Sequence, residues 1–252
     1  MFADEYMASA NGAKAKVAML KTNPTGYFML AMLAGAFIGI GCLLAFTVGG
    51  TLAGFPFSKV AMGIAFGVAL SLVVIAGSEL FTGNVMVLGN GLSRGTVTFP
   101  EALKLWVVCY LGNWLGAIVL SLLFIAAAGA TGATGKALSG AAVAKTSMGP
   151  VVLFAKGMLC NFLVCLAVWC GFRTKSDAAK LIMVFWCLFA FFTTGFEHSI
   201  ANMTVLTIGL LAPVGKTIAL SGYLYNLLFV TAGNILGALL FMTIPYGIAA
   251  RK

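Results

Sequence analysis

The sequence predicts an all-α integral membrane protein with six transmembrane helices, arranged as an inverted 3+3 repeat in which the second and fifth helices are broken. Three observations lead to this prediction. Of the 252 residues, 62% are hydrophobic and only 8% are charged, whereas about a quarter is usually charged in soluble domains. Apolar runs of about 20 residues, long enough to cross a bilayer, recur six times. Two short motifs each occur twice.

The first element is an N-terminal segment, residues 1–26, which we expect to form a cytoplasmic amphipathic helix at the membrane surface. Apolar residues share one face at helical spacing, and they are Phe2, Tyr6, Ala13, Val17 and Leu20. The lysines of the segment, Lys14, Lys16 and Lys21, lie elsewhere. The segment lacks the apolar core of a secretory signal peptide, so the spans themselves direct the chain to the membrane.

Residues 27–252 are predicted to form one six-span domain. The predicted spans are residues 27–48, 60–78, 105–128, 150–172, 181–211 and 223–250. Charges inside them are few: Lys156 in the fourth span, and Glu197 with His198 in the fifth. For Lys156 two interpretations stay open, a functional group or a side chain that reaches toward the membrane surface or pairs within the protein.

The basic residues predict the orientation. With six spans, ten basic residues fall on the side of the two termini, and four fall on the other side: Lys59, Lys136, Lys145 and Lys216. The positive-inside rule then places both termini in the cytoplasm. Orientation therefore accounts for the net charge of +9, and no nucleic-acid partner is needed to explain it.

The cysteines and the single histidine exclude several kinds of cofactor site. All six cysteines lie in apolar spans without a C-x-x-C pair, which is typical of buried packing residues. One histidine cannot provide both axial ligands of a haem within one chain. We therefore expect no cofactor, no metal and no electron-carrier function.

Two duplicated motifs indicate an internal repeat. GSELFTGN at residues 77–84 aligns with GFEHSIAN at residues 195–202, an offset of 118 residues, and GNWLGA at 112 aligns with GNILGA at 233, an offset of 121. The repeat halves are about 27–128 and 150–250. Because each half has three spans, an odd number, the second half must cross the membrane in the opposite sense, as in many transporters.

Each first motif interrupts an apolar span with Gly, Thr and Asn, which weakens a helix. Glu79 and Glu197 could cap the freed backbone N–H groups or bind a ligand, and Asn84 could support the break in the same way. His198 differs from them because its counterpart in the first half is Leu80. A titratable group without a symmetry partner in a membrane span indicates function rather than architecture.

The blocks FEHSIANM, GSELFTGN, AKGMLCNFLVCLAVW and GNILGA resemble the formate/nitrite transporter family of bacterial inner-membrane anion channels. The resemblance extends from Asn23 through the sixth span, and it is greatest to the nitrite-type members. It implies a homopentamer in which each subunit contains an aquaporin-like pore.

The resemblance also implies roles for individual residues. It identifies His198 as the central pore histidine, Thr82 as the hydroxyl that faces it, and Lys145 as the lysine near the outer mouth. Asn161 and Asn202 match polar residues beside the pore. The expected apolar constrictions are Leu70 with Phe191, and Phe81 with Val164.

A weak-acid anion would pause at Thr82 and His198, take a proton or a strong hydrogen bond, and pass onward as the neutral acid. Nitrite is the expected substrate, and formate and hydrosulfide remain alternatives. The paired N-P-A motifs expected of a water or glycerol pore are absent from this sequence. The alternative from a different class is a membrane enzyme that uses Glu197 and His198 as an acid/base pair, although adjacent helical residues do not face each other.

Overall fold

The computed structural model describes residues 2–251, and this part of the chain contains helices and no strand. Met1 and Lys252, which the predicted ranges 1–26 and 27–252 include, lie outside the described residues. The described helices are α1 (Ala3–Thr22), α2 (Pro24–Thr51), α3 (Ser58–Gly77), α4 (Phe81–Ser93), α5 (Phe99–Ala126), α6 (Gly132–Thr146), α7 (Pro150–Arg173), α8 (Asp177–Thr194), α9 (Ser199–Leu211) and α10 (Leu220–Ala249).

Six of these helices, α2, α3, α5, α7, α8 and α10, are long and apolar enough to cross a membrane. This finding confirms the predicted all-α integral membrane class with six spans. The predicted fifth span, residues 181–211, contains two helices, α8 and α9, with residues 195–198 between them. The final turn of α3, Val73–Gly77, is π-helical, and α10 contains a second π-helical turn, Leu239–Thr243.

The helices α4 and α9 are too short to cross a bilayer. Each has 13 residues and is therefore about 20 Å long at 1.5 Å per residue, compared with a hydrocarbon core of about 30 Å. Their side chains are buried over Phe81–Gly91 and Ser199–Gly209. Both helices therefore begin inside the bundle, surrounded by the longer helices.

The N-terminal helix α1 packs against α4. Its buried residues, Tyr6, Ser9, Ala10, Ala13, Val17 and Leu20, include four of the five that the apolar pattern predicted; Phe2 is partly buried. Asp4 and Glu5 lie in its first turn and Lys21 in its last, which complements the helix dipole. The predicted amphipathic face thus covers protein in this structure.

The duplicated GN-x-LGA motifs explain how two helix pairs approach closely. A Cβ atom added to Gly116 of α5 would overlap the carbonyl of Met32 in α2, and one added to Gly237 of α10 would overlap the carbonyl of Met158 in α7. Small residues let membrane helices pack backbone to backbone in this way. Each half of the chain therefore contains one closely packed pair, α2 with α5 and α7 with α10.

Candidate functional site

Two short non-helical segments lie in the interior of the bundle, before α4 and before α9. Gly77 and Gly195 both have a φ of 78°, a left-handed conformation that glycine adopts without strain. The residues that directly precede the two short helices, Leu80 and His198, are extended, with φ values of −97° and −107°. These segments carry Glu79 and Glu197 into the protein interior.

The carboxylate of Glu79 is buried and fully engaged. Both of its oxygens accept hydrogen bonds from Lys16 Nζ, at 2.6 and 2.7 Å. Oε2 also accepts from Asn84 Nδ2 at 2.8 Å and from Tyr27 Oη at 3.2 Å. A buried carboxylate needs such partners because desolvation of an isolated charge costs several kcal/mol. Lys16, to which the sequence analysis gave no role, is thus the counter-ion of Glu79.

The carboxylate of Glu197 has an equivalent set of partners. Lys145 Nζ lies 2.8 Å from Oε1, and Asn202 Nδ2 donates to Oε2 at 2.6 Å. The same Asn202 amide also donates to Asn226 Oδ1 at 2.8 Å. The family resemblance predicts Lys145 as a lysine near the outer mouth. In the structure its ammonium is neutralised by the carboxylate of Glu197.

Two asparagines that the sequence analysis did not select hold the non-helical segments in place. Asn113 Oδ1 accepts from Phe81 N at 2.9 Å, and its Nδ2 donates to Glu79 O at 2.8 Å. Asn234 does the same for the other segment, with Ser199 N at 2.9 Å and Glu197 O at 3.0 Å. Both are the Asn of the duplicated GN-x-LGA motif. That repeat was the signal that could have identified them.

His198 is the N-cap of α9 and is only 3% exposed. Its Nδ1 accepts a hydrogen bond from Ala201 N at 3.1 Å, and its Nε2 lies 3.0 Å from Thr82 Oγ1. Because Nδ1 is an acceptor, the neutral ring carries its proton on Nε2. The imidazole therefore donates toward Thr82, and its ring stacks on Phe191 with centroids 5.9 Å apart.

The side chains of Glu197 and His198 do not hydrogen-bond to each other in this structure. The carboxylate of Glu197 bonds to Lys145 and Asn202, while the imidazole bonds to Thr82 and to the backbone of Ala201. Within residues 2–251 no group of three or more His, Cys, Asp or Glu side chains is placed to hold a metal ion. The geometry of an acid/base pair is missing at this position.

Two cavities approach the site from opposite ends. The Glu79 cavity, of about 510 Å³, is lined by residues that include Lys16, Glu79 and Lys180. The Glu197 cavity, of about 250 Å³, is lined by residues that include Lys59, Lys145 and His198. Between them lies a central space that is too narrow to hold a water molecule. Its lining is apolar except for the histidine and consists of Ile38, Phe66, Leu70, Leu80, Val164, Leu188, Phe191 and His198.

The shared lining residues show how the three spaces connect. Leu70 and Leu80 line both the Glu79 cavity and the central space, whereas Phe191 and His198 line both the central space and the Glu197 cavity. Leu70 and Phe191, predicted as one constriction, both line the central space. The ring partner of Phe191 is Phe66, with centroids 5.5 Å apart.

The second predicted constriction differs from the structure in one residue. Val164 lines the central space, but Leu80 lines it in place of Phe81. The ring of Phe81 packs edge-on against Tyr110, with centroids 4.9 Å apart. Because Leu80 is extended and Phe81 begins α4, their side chains point in different directions.

Asn161 was predicted beside the pore, but it lines none of the three spaces. Its Nδ2 donates to Thr82 O at 3.1 Å and to Asn234 O at 2.7 Å. The side chain is completely buried. Asn161 thus connects the backbone of α4 to that of α10 and positions Thr82.

The chain matches known proteins over nearly its whole length. The family model described as formate/nitrite transporter matches residues 5–248. The nitrite transporter NirC of Escherichia coli (strain K12) is 39% identical over 100% of this chain and 94% of its own length. A solved structure described as an FNT family ion channel superposes with a TM-score of 0.93 at 37% identity, covering 98% of this chain and 99% of that one.

A second solved structure, described as a pentameric formate channel with formate bound, has a TM-score of 0.80 and 30% identity, covering 90% of this chain and 97% of that one. The helical membrane fold and these relatives define the chain as a membrane transport protein and not an enzyme. It belongs to the formate/nitrite transporter family. The resemblance that the sequence blocks indicated is therefore confirmed, including the similarity to nitrite-type members.

Proposed function

We propose that this protein is a channel for small monovalent weak-acid anions and that nitrite is its substrate. The observation that carries the proposal is the position of His198. Its imidazole, bonded to Thr82, lies where the apolar central space meets the Glu197 cavity. On this proposal the two cavities and the central space between them are the conduction path.

The proposed architecture is an inverted 3+3 repeat with broken second and fifth helices in an aquaporin-like arrangement. The matching partners of Glu79 and Glu197 support it, since each carboxylate has one lysine and one asparagine five residues along the chain. We further propose a homopentamer in the bacterial inner membrane, with the 1–26 segment and the C-terminus in the cytoplasm. The pentameric formate channel among the similar structures supports the assembly.

The central space imposes the main energetic requirement on transport. A space too narrow for water removes the hydration shell of an anion, at a cost of several kcal/mol or more. An inside-negative potential adds about 2.3 kcal/mol per charge for each 100 mV. Passage as the neutral acid avoids both costs, so we propose that the substrate crosses the central space in protonated form.

We propose that His198 acts in this step as a neutral hydrogen-bond donor. An imidazolium would carry a proton on Nδ1 and would lose the hydrogen bond that this atom accepts from Ala201 N. The neutral ring keeps that bond, and its Nε2–H, which donates to Thr82 Oγ1 in this structure, would turn to the substrate together with the freed Thr82 hydroxyl. Together they can hold the substrate, while its proton is taken up from water in the cavity.

Nitrite is favoured over formate and hydrosulfide by one observation, the 39% identity to NirC over the whole chain. The lining residues do not distinguish among these small anions, all of which have neutral acids. Formate is therefore the second candidate, supported by the similarity to the pentameric formate channel.

The proposal is tested by flux into proteoliposomes with nitrite, formate and hydrosulfide at an acidic and a neutral pH. We expect the wild-type protein to conduct nitrite best and more rapidly at acidic pH. His198→Asn should conduct more slowly but keep the wild-type ratio between the two pH values, because the proton comes from water. Loss of that ratio would identify the imidazole as the proton donor, and absence of nitrite flux in the wild type would overturn the proposed function.

A further inference from the structure

Lys59 is a basic residue to which the conduction path described above gives no role. It is the second residue of α3 and lines the Glu197 cavity. Of the fourteen residues that line this cavity, Lys59 is the only one that is exposed. Lys59 is therefore the lining residue of this cavity that is most open to solvent.

The ammonium of Lys59 lies close to the non-helical segment that carries Glu197 and His198. A Cβ atom added to Gly195 would be 3.2 Å from Lys59 Nζ. Within residues 2–251 the structure gives Lys59 no salt bridge and no side-chain hydrogen bond. Its positive charge is therefore available to a ligand.

The other lysine of this cavity differs in both respects. The Lys145 side chain is 17% exposed and its ammonium is paired with Glu197 at 2.8 Å. Because the two charges of this pair largely cancel at a distance, the net positive charge of the cavity comes from Lys59. Charged clefts raise the local concentration of an oppositely charged ligand.

The lysine that lines the other cavity from the corresponding helix supports a function specific to one side. Lys180, near the start of α8, lines the Glu79 cavity. Its Nζ is paired with Asp177 at 3.0 Å. Each cavity thus has a lysine from the start of α3 or α8, and of these two only Lys59 lacks an acidic partner in the described structure.

We propose that Lys59 captures the anion at the mouth of the Glu197 cavity, before it reaches Lys145 and His198. This inference rests on the proposed function. Capture by a single exposed charge speeds association without changing the central space, and it is screened by salt. The Debye length is about 30 Å at about 0.01 M ionic strength and about 10 Å at about 0.1 M.

The test is nitrite flux into proteoliposomes of one insertion orientation, verified by protease access to a C-terminal tag, with nitrite on the side of the Glu197 cavity. Lys59→Gln should lower the initial flux about three- to tenfold at low salt and raise the apparent KM, with an unchanged maximal rate. Lys59→Arg, which keeps the charge, should conduct like the wild type. The control is Lys136→Gln, which removes an exposed lysine of α6 that lines neither cavity.

The outcomes separate this inference from the proposed function. A Lys59→Gln defect at low salt that shrinks at high salt, with normal flux in Lys136→Gln, supports capture by Lys59. Equal low-salt flux in the two Gln variants, or a defect that high salt does not reduce, overturns it while the proposed function stands. A wild-type protein that conducts no nitrite overturns both.

Discussion

Replacement of Asn234 by alanine should destabilise the protein more than replacement of any asparagine with a single hydrogen bond. The buried side chain accepts from Ser199 N at 2.9 Å and donates to Gly157 O at 2.8 Å and Glu197 O at 3.0 Å. Hydrogen bonds contribute about 0.5–1.5 kcal/mol each, and the alanine variant also leaves a buried N–H without an acceptor. The expected loss is about 2–4 kcal/mol.

Asn90→Ala is the matched control for this prediction. Asn90 is also buried and helical, but its side chain makes one hydrogen bond, from Nδ2 to Ser9 Oγ at 2.9 Å, and its Oδ1 has no partner. The same atoms are removed, and the expected loss is about 1 kcal/mol.

The measurement is thermal unfolding of the two purified variants in detergent. For a chain of this size 1 kcal/mol corresponds to about 2–4 °C in Tm, so Asn234→Ala should unfold roughly 4–16 °C below the wild type. Equal Tm values for the two variants would show that the hydrogen bonds of Asn234 do not stabilise the segment before α9.

The remaining predictions concern helix packing, the central hydroxyl and the buried ion pair. Gly237→Ala should cost about 1–3 kcal/mol because the new methyl overlaps the Met158 carbonyl, whereas Gly140→Ala in α6, which has nothing within 4 Å, should stabilise slightly; unfolding in detergent compares them. Thr82→Val should slow nitrite flux and also lower Tm, since it removes the acceptor of the buried His198 Nε2–H; normal flux would exclude the hydroxyl from substrate binding. Lys16→Met should lower Tm because it leaves the carboxylate of Glu79 without a counter-ion, and Lys16→Met with Glu79→Gln should recover most of the loss.

The spans were predictable from sequence because their signal is local. A run of about 20 apolar residues identifies a membrane helix without knowledge of its neighbours, and the six spans follow from that rule. The single histidine and the duplicated acidic motif could also be identified from the sequence, because both are polar residues within apolar segments. The two helices within residues 181–211 were less evident because hydropathy does not mark where a helix ends inside the bilayer.

The contacts within the site could not be predicted because they join distant parts of the chain. Lys16 meets Glu79 across 63 residues, and Lys145 meets Glu197 across 52. Lys145 is therefore predicted only as a lysine near the outer mouth, and Lys16 only on the polar side of a surface helix. Leu80 lines the central space, whereas Phe81 was predicted to do so. Which of the two side chains faces this space depends on the local dihedral angles where α4 begins, and composition does not determine these angles.

The two internal lysine–glutamate pairs have a kinetic consequence for a conducting pore. In each cavity the protein supplies its own carboxylate, 2.6 Å from Lys16 and 2.8 Å from Lys145. On the proposed conduction path an anion would compete with that carboxylate for the ammonium, so we expect its dwell time beside either lysine to be short. Fast permeation requires such loose association, because an ion that binds too tightly cannot leave.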